Sequence, residues 1–191
     1  MEKNAGFLAR RKAVGGITLT ALFAALTAAG TFIAIPLPFS PVPVALQNLF
    51  AILAGLCLGP FLGSLSVALY LAAGALGAPV FAGASGGIAR LLGPTGGYLL
   101  GYLIGALVAG LVAGRPRTGA QDRLWRLILG AALGLLAVYV PGTLRLKQLM
   151  GFGWPQALVG GILPFLPGDA AKAAVAALIA PRLRRVIAEL R

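Results

Sequence analysis

The chain has 191 residues, of which 59% are apolar and only 10% charged, with a mean hydropathy of +0.95. A soluble domain carries roughly a quarter charged residues, so a water-soluble enzyme, a disordered chain and a disulfide scaffold are excluded. An integral membrane protein is expected, with residues 1–191 forming one domain. Lys and Arg outnumber Asp and Glu by 16 to 4, His is absent and the net charge is +12. The cations lie between long apolar runs, not on a polar face with interleaved aromatics, so topology and not nucleic acid accounts for them. The single cysteine, Cys57, sits in an apolar run and reads as a small packing group. Without His or a second Cys, a zinc or iron–sulfur site is excluded, and no metal or cofactor is expected.

In chain order, the first apolar run covers about Gly15 to Ile35, behind Arg10, Arg11 and Lys12. It exceeds the roughly 7–15 residues of a signal-peptide core, so it reads as a retained span. Ala21, Ala25 and Ala29 recur every fourth residue on one face, as do Ala24 and Ala28. Such faces admit close helix approach, within the chain or to another protein. Pro36, Pro38, Pro41 and Pro43 then predict a stiff, extended, uncharged loop through Phe39. A second span over about Val44 to Leu58 takes Gln47 and Asn48 into an apolar setting, where amides seek hydrogen-bond partners, commonly on a neighbouring helix. The third covers about Leu62 to Leu76. A glycine-dense stretch follows from Pro79 to Tyr98, long for a connection, with Arg90 as its only charge.

The fourth span runs from about Thr95, a candidate cap, to Ala113, and the fifth from about Arg123 to Val140, where Pro141-Gly142 reads as a break. Gly151 to Pro167 is open between a re-entrant or interfacial piece and the tail of a longer fifth helix. The sixth span starts at about Asp169, after the Pro167-Gly168 break, and runs to Ile179 and past Pro181. Tyr139 and Trp154 read as interfacial anchors. With six spans, the N-terminal tail (Lys3, Arg10, Arg11, Lys12), the loop after the fourth span (Arg115, Arg117, Arg123, Arg126) and the C-terminal tail (Arg182, Arg184, Arg185, Arg191) share one side. Only Arg90, Arg145 and Lys147 fall on the other. The positive-inside rule places both termini in the cytoplasm. The expected fold is therefore an all-α polytopic membrane protein with six transmembrane helices, surrounded by membrane lipid.

Of the four acids, Glu2, Asp122 and Glu189 fall in tails or the basic loop and need no function. Asp169 does not: it lies between apolar runs, three residues before Lys172, which puts both on one face of a helix. One reading is a helix cap neutralised by a snorkelling lysine. The other is a polar ligand site, since ionisable groups in a span cost about 2.5–3.5 kcal/mol and usually face a cavity or each other. Arg90 offers a guanidinium that can clamp a carboxylate or a ureido-like carbonyl, or rest on lipid phosphate. There is no phosphate-binding GxxxxGK[ST] loop, no GxSxG and no second intramembrane carboxylate, so binding and transport are favoured over catalysis.

Four pieces together, Pro41-Val42-Pro43-Val44-Ala45-Leu46-Gln47, Gly77-Ala78-Pro79-Val80-Phe81-Ala82-Gly83, Gly93-Pro94-Thr95-Gly96-Gly97-Tyr98 and Leu166-Pro167-Gly168-Asp169 with Lys172, resemble the BioY family. These are the biotin-specific substrate-binding components of energy-coupling-factor (ECF) transporters, and the likeness extends over about Thr18 to Leu183. The resemblance implies a six-helix fold that binds biotin near the outer face, a transmembrane coupling protein and two cytoplasmic ATPase subunits as partners, and no enzyme activity. It carries Asp169 and Lys172 over as ligand residues, then Arg90, with Gln47, Ser85, Phe81 and Tyr98 completing the substrate set. It makes the Ala21, Ala25 and Ala29 face the contact with the coupling protein. Ala45 stands where the family often has Thr, and Ser85 is the only polar side chain between Gly83 and Gly87. A different class remains open: a proton-coupled carrier of a small carboxylate-bearing vitamin, with Asp169 as its protonation site.

Overall fold

The computed structural model describes residues 2–38, 40–119 and 122–190, with side chains from Val14 onward. Phe39 and Arg191, and the side chains of Glu2, Lys3, Arg10, Arg11 and Lys12, lie outside the described residues. Eight helices and one hairpin follow in order: α1 (Glu2–Ala29) with a 3-10 turn (Gly30–Phe32), β1 (Ala34–Leu37), β2 (Ser40–Ala45), α2 (Gln47–Leu58), α3 (Pro60–Ala75), α4 (Ile88–Leu92), α5 (Gly96–Ala113), α6 (Leu124–Met150), α7 (Trp154–Gly161) and α8 (Leu166–Leu190).

The bundle is inside out by the standard of a soluble protein. Leu65 and Leu69 of α3, Leu100, Ile104 and Leu111 of α5 and Ile128 and Leu136 of α6 are exposed, while the packed face of α5 is mostly Gly and Ala and that of α6 interleaves Gly130, Ala131, Gly134 and Gly142 with larger side chains. Where the surroundings are as apolar as leucine, small residues win the interior because they let backbones approach and disperse against each other. Gly55 of α2 shows the limit, since a Cβ there would collide with the backbone of Ala106 in α5. The core centres on α2, whose residues from Ala51 to Leu58 are all buried.

Among the described residues, three helical segments are long and apolar enough to cross a membrane: Val14–Phe32, Gly96–Ala113 and Leu124–Met150. Helices α7 and α8 together qualify as a fourth, broken by a 48° bend, and α2 and α3 are shorter apolar helices. At 1.5 Å per residue, the 12 residues of α2 rise about 18 Å, well short of a bilayer core.

Four expectations change. The all-α description omits a two-stranded antiparallel sheet: the proline-rich segment folds back as a hairpin, pairing Ala34 with Ala45, Ile35 with Val44 and Leu37 with Ser40. Its register slips between Ile35 and Leu37, around Pro36, which has no amide proton to give to a ladder. Pro141-Gly142 does not end a helix. It lies inside the 27-residue α6, because tight packing makes proline tolerable within an apolar bundle helix. Pro167-Gly168 likewise does not precede the last helix but sits in its first turn, where amides have no intrahelical partner and a proline costs little. Asp169 is therefore a first-turn residue, not a cap.

The fourth change is at the other end of α8. Arg184, assigned to a tail, is 3% exposed and pairs with Asp122 at 2.8 Å. It also donates to the carbonyls of Leu56, Ala113 and Gly114, the last turns of α2 and α5. One guanidinium thus serves carbonyls that helix ends leave without partners.

Candidate functional site

At the end of the bundle that carries the hairpin, a cavity of about 290 Å³ opens between β1–β2, the start of α2, the α3–α4 loop, α4 and α5. The hairpin is fixed over it by Ser40, whose Oγ donates to the Gly160 carbonyl of α7 at 2.6 Å and accepts the Val42 amide at 3.1 Å. On the opposite wall, the α3–α4 loop closes through reciprocal backbone bonds between Phe81 and Ser85 (2.8 and 3.1 Å). Gly83 (φ 76°) and Ala84 (φ 50°) make the turn. Phe81 is buried against Gly74, where any side chain would overlap its ring, and meets Tyr70 edge-on at 5.6 Å. Thr31 holds the same loop from below by donating to the Val80 carbonyl at 2.6 Å.

Gln47 sits on the floor, 1% exposed, with its amide nitrogen donating to Thr31. Its carbonyl oxygen takes no hydrogen bond among the described residues. Tyr98 lines the cavity with its ring, while its hydroxyl donates to Gly161 at 2.9 Å. Ser85 also lines it, with Oγ donating to Ala82 at 2.9 Å. Arg90 is exposed and borders the cavity, and its guanidinium has no ion-pair or hydrogen-bond partner among the described residues. Thr95 is at the N-cap of α5 but makes no side-chain capping bond.

Asp169 and Lys172 lie behind this cavity. They border a smaller space of about 30 Å³, which shares Val42, Pro43, Ala45, Tyr98 and Tyr102 with the main cavity. The pair is 2.8 Å apart. Asp169 Oδ1 also accepts from Asn48 Nδ2 at 2.8 Å, and Oδ2 from the Tyr139 hydroxyl at 2.6 Å. Besides Asp169, Lys172 Nζ donates to Asn48 Oδ1 at 3.1 Å and to the Ala45 carbonyl of the hairpin at 2.7 Å. All three ammonium protons are used, whereas Asp169 Oδ2 keeps one free acceptor position.

The fold thus brings Gln47, Phe81, Ser85, Arg90 and Tyr98 around one cavity and Asp169 and Lys172 against its rear wall. Two members were missed. The sequence marks Asn48 as an amide in a span but not as a partner of the couple, although its position in the first turn of an apolar helix is the available signal. For Tyr139 the sequence suggests an interfacial anchor. It is instead 6% exposed and bonded to Asp169, a contact across 30 residues that leaves no local trace in the sequence. Trp154 is 55% exposed, with the Lys147 ammonium 5.2 Å from its ring. On α1, Ala21, Ala25 and Ala29 form an exposed face, while Ala24 and Ala28 turn inward against the cluster around Tyr70 and Phe81.

The whole chain can also be compared with known proteins. The sequence profile of the BioY family matches residues 2–189. A probable biotin transporter BioY from Pyrococcus horikoshii is 46% identical over 168 residues, covering 88% of this chain and 95% of that protein. The biotin transporter BioY of Thermotoga maritima is 42% identical over the same shares. The crystal structure of the S-component for biotin from an ECF-type ABC transporter superposes with a TM-score of 0.80 at 32% identity, covering 90% of this chain and 92% of that one. The chain belongs to the BioY family.

Proposed function

We propose that this protein captures biotin as the substrate-binding component of an ECF-type transporter in the cytoplasmic membrane, and that it is not an enzyme. The observation that carries the reading is the adjacency of a cavity of about 290 Å³ to a buried acid–amine couple behind it and an uncommitted cation beside it. That volume is near the lower end of small-ligand sites, roughly 300–1,000 Å³.

Biotin carries a ureido ring at one end and a carboxylate at the other. The free acceptor position on Asp169 Oδ2 suits a ureido N–H. Lys172 has no proton to spare, so a ureido carbonyl reaches it by replacing the Ala45 carbonyl, which requires the end of β2 to give way. The small space beside the couple has room for about one water, in keeping with that exchange. Arg90 then offsets the carboxylate, with Gln47 and Ser85 offering polar contacts and Phe81 and Tyr98 apolar walls.

In this reading α1, α2, α3, α5, α6 and the α7–α8 pair form six spans with both termini cytoplasmic. The exposed alanine face at Ala21, Ala25 and Ala29 takes the coupling protein, and two ATPase subunits supply the energy that a chain without a phosphate-binding loop cannot. The proton-coupled alternative gains no support, since the Asp169 carboxylate is committed to three donors.

Equilibrium binding of radiolabelled biotin to the detergent-purified protein tests the proposal. Saturable binding that is lost in Asp169→Asn is expected, and absence of saturable binding in the folded protein overturns it.

A further inference from the structure

A second cavity, of about 340 Å³, lies at the opposite end of the bundle, between the C-terminus of α5, the loop that follows it, the start of α6 and the α8 residue Arg184. Five arginines line it: Arg115, Arg117, Arg123, Arg126 and Arg184. Asp122 is the only acid among the lining residues, and its Oδ1 is already taken by Arg184 Nε at 2.8 Å. The floor is therefore a neutralised pair of buried Arg184 and half-buried Asp122, and the other four arginines, exposed to solvent, face no further acid among the lining residues. Arg115 lies over the Phe61 ring at 5.5 Å, while the guanidinium groups of Arg117, Arg123 and Arg126 have no partner among the described residues.

We propose that this cavity binds a phosphate-bearing anion. The positive-inside rule explains why basic residues collect at one end of a membrane bundle, but not why four converge on one hollow. Arg182 and Arg185 stand on α8 at the same end and do not line it. Solvent screens the repulsion among four exposed cations without favouring their convergence, whereas an anion held among them does favour it. All the lining cations are arginine, whose planar fork engages phosphate oxygens in pairs, and a phosphate offers enough oxygens to serve several forks at once. The phosphate can come from an anionic phospholipid headgroup or from a soluble phosphate compound.

The test compares two variants of the full chain in neutral detergent that lose equal charge at the same end: Arg123→Gln/Arg126→Gln and Arg182→Gln/Arg185→Gln. Short-chain phosphatidylglycerol, short-chain phosphatidylcholine and inorganic pyrophosphate are titrated calorimetrically into each. The wild type and the Arg182/Arg185 variant are expected to bind phosphatidylglycerol or pyrophosphate alike, and the Arg123/Arg126 variant about tenfold more weakly. Phosphatidylglycerol that pyrophosphate does not displace identifies the lipid source, and displacement identifies the soluble one. If the Arg123/Arg126 variant does not keep the wild-type helicity and elution volume, Arg117→Gln in the loop replaces it, with a loss of about threefold expected. Equal losses in the two double variants, equal binding of phosphatidylcholine, or arginine-dependent binding of a glutamate-rich peptide with neither phosphate probe bound would each overturn the proposal.

Discussion

Helix α8 takes part in an ion pair toward each end, both closed at 2.8 Å, and the two are built differently. Near its start, Asp169 and Lys172 are surrounded mainly by side chains, Asn48 and Tyr139, with one backbone carbonyl from a hairpin. Toward its end, Arg184 reaches from Asp122 to three backbone carbonyls at the tips of α2 and α5. Side-chain partners and a hairpin can rearrange when a ligand offers equivalent bonds. The last carbonyls of packed helices have no second donor to turn to. Under the proposed function, the same pairing chemistry would serve exchange at one end and fastening at the other.

The sharpest way to break this contrast is to replace each pair by apolar residues. Asp169→Leu/Lys172→Met is expected to abolish measurable biotin binding, since it removes two charge-assisted hydrogen bonds worth about 1.5–3 kcal/mol each. Its thermal unfolding should change less than that of the other double variant, because an apolar pair can replace a buried ion pair at small cost and the released Asn48 and Tyr139 side chains border a small space. Asp122→Leu/Arg184→Met should do the reverse, lowering the unfolding temperature while the folded fraction still binds biotin. A loss of binding in both would mean that the pairs are not distinct in role. Arg184→Met alone should be more damaging to stability, by about 3–5 kcal/mol, because Asp122 is left half-buried without its partner. Thermal unfolding followed by circular dichroism in detergent measures it.

The contrast was only half legible in the sequence. Asp169 and Lys172 stood out because charge in an apolar run is costly and the i, i+3 spacing puts both on one face. Arg184 and Asp122 did not, because each lies in a basic stretch that topology already explains, and their pairing joins residues 62 apart. The apolar runs announced the helices, but the prolines were misread in both directions. Pro141 and Pro167 looked like breaks and lie inside helices, while the alternation from Pro36 to Pro43 looked like an open loop and folds as a hairpin. Local propensity fixes φ at a proline, but only packing decides whether the lost amide bond matters. The cavity walls at Phe81, Ser85 and Tyr98 came from motif order, whereas Asn48 and Tyr139 required the fold.

A milder probe of the exchangeable end is Tyr139→Phe, which removes one donor from Asp169 Oδ2 and leaves the ring in place. If Tyr139 positions the carboxylate for a ureido N–H, biotin binding should weaken about tenfold, the scale of one hydrogen bond to a charged group. A purely structural role would lower the unfolding temperature without changing the affinity of the folded protein. Asn48→Ala should act in the same direction, since it removes the amide that holds both the Asp169 carboxylate and the Lys172 ammonium in place.

The smallest effect is expected at Arg90, which is exposed and screened by solvent, unlike either buried pair. Arg90→Gln should weaken biotin binding about threefold and should do so more at low salt than at high. The informative comparison uses biotinamide, whose tail is neutral. If Arg90 offsets the carboxylate, the wild type should prefer biotin over biotinamide and the variant should not, so that the two substitutions, one in the protein and one in the ligand, are non-additive. Additive losses would separate Arg90 from the carboxylate and assign the tail to another donor, leaving the capture of the ureido ring by Asp169 untouched. The tail contact and the ring contact would then fail independently, as expected if recognition of the ring rests on a buried couple and recognition of the tail on a solvated charge.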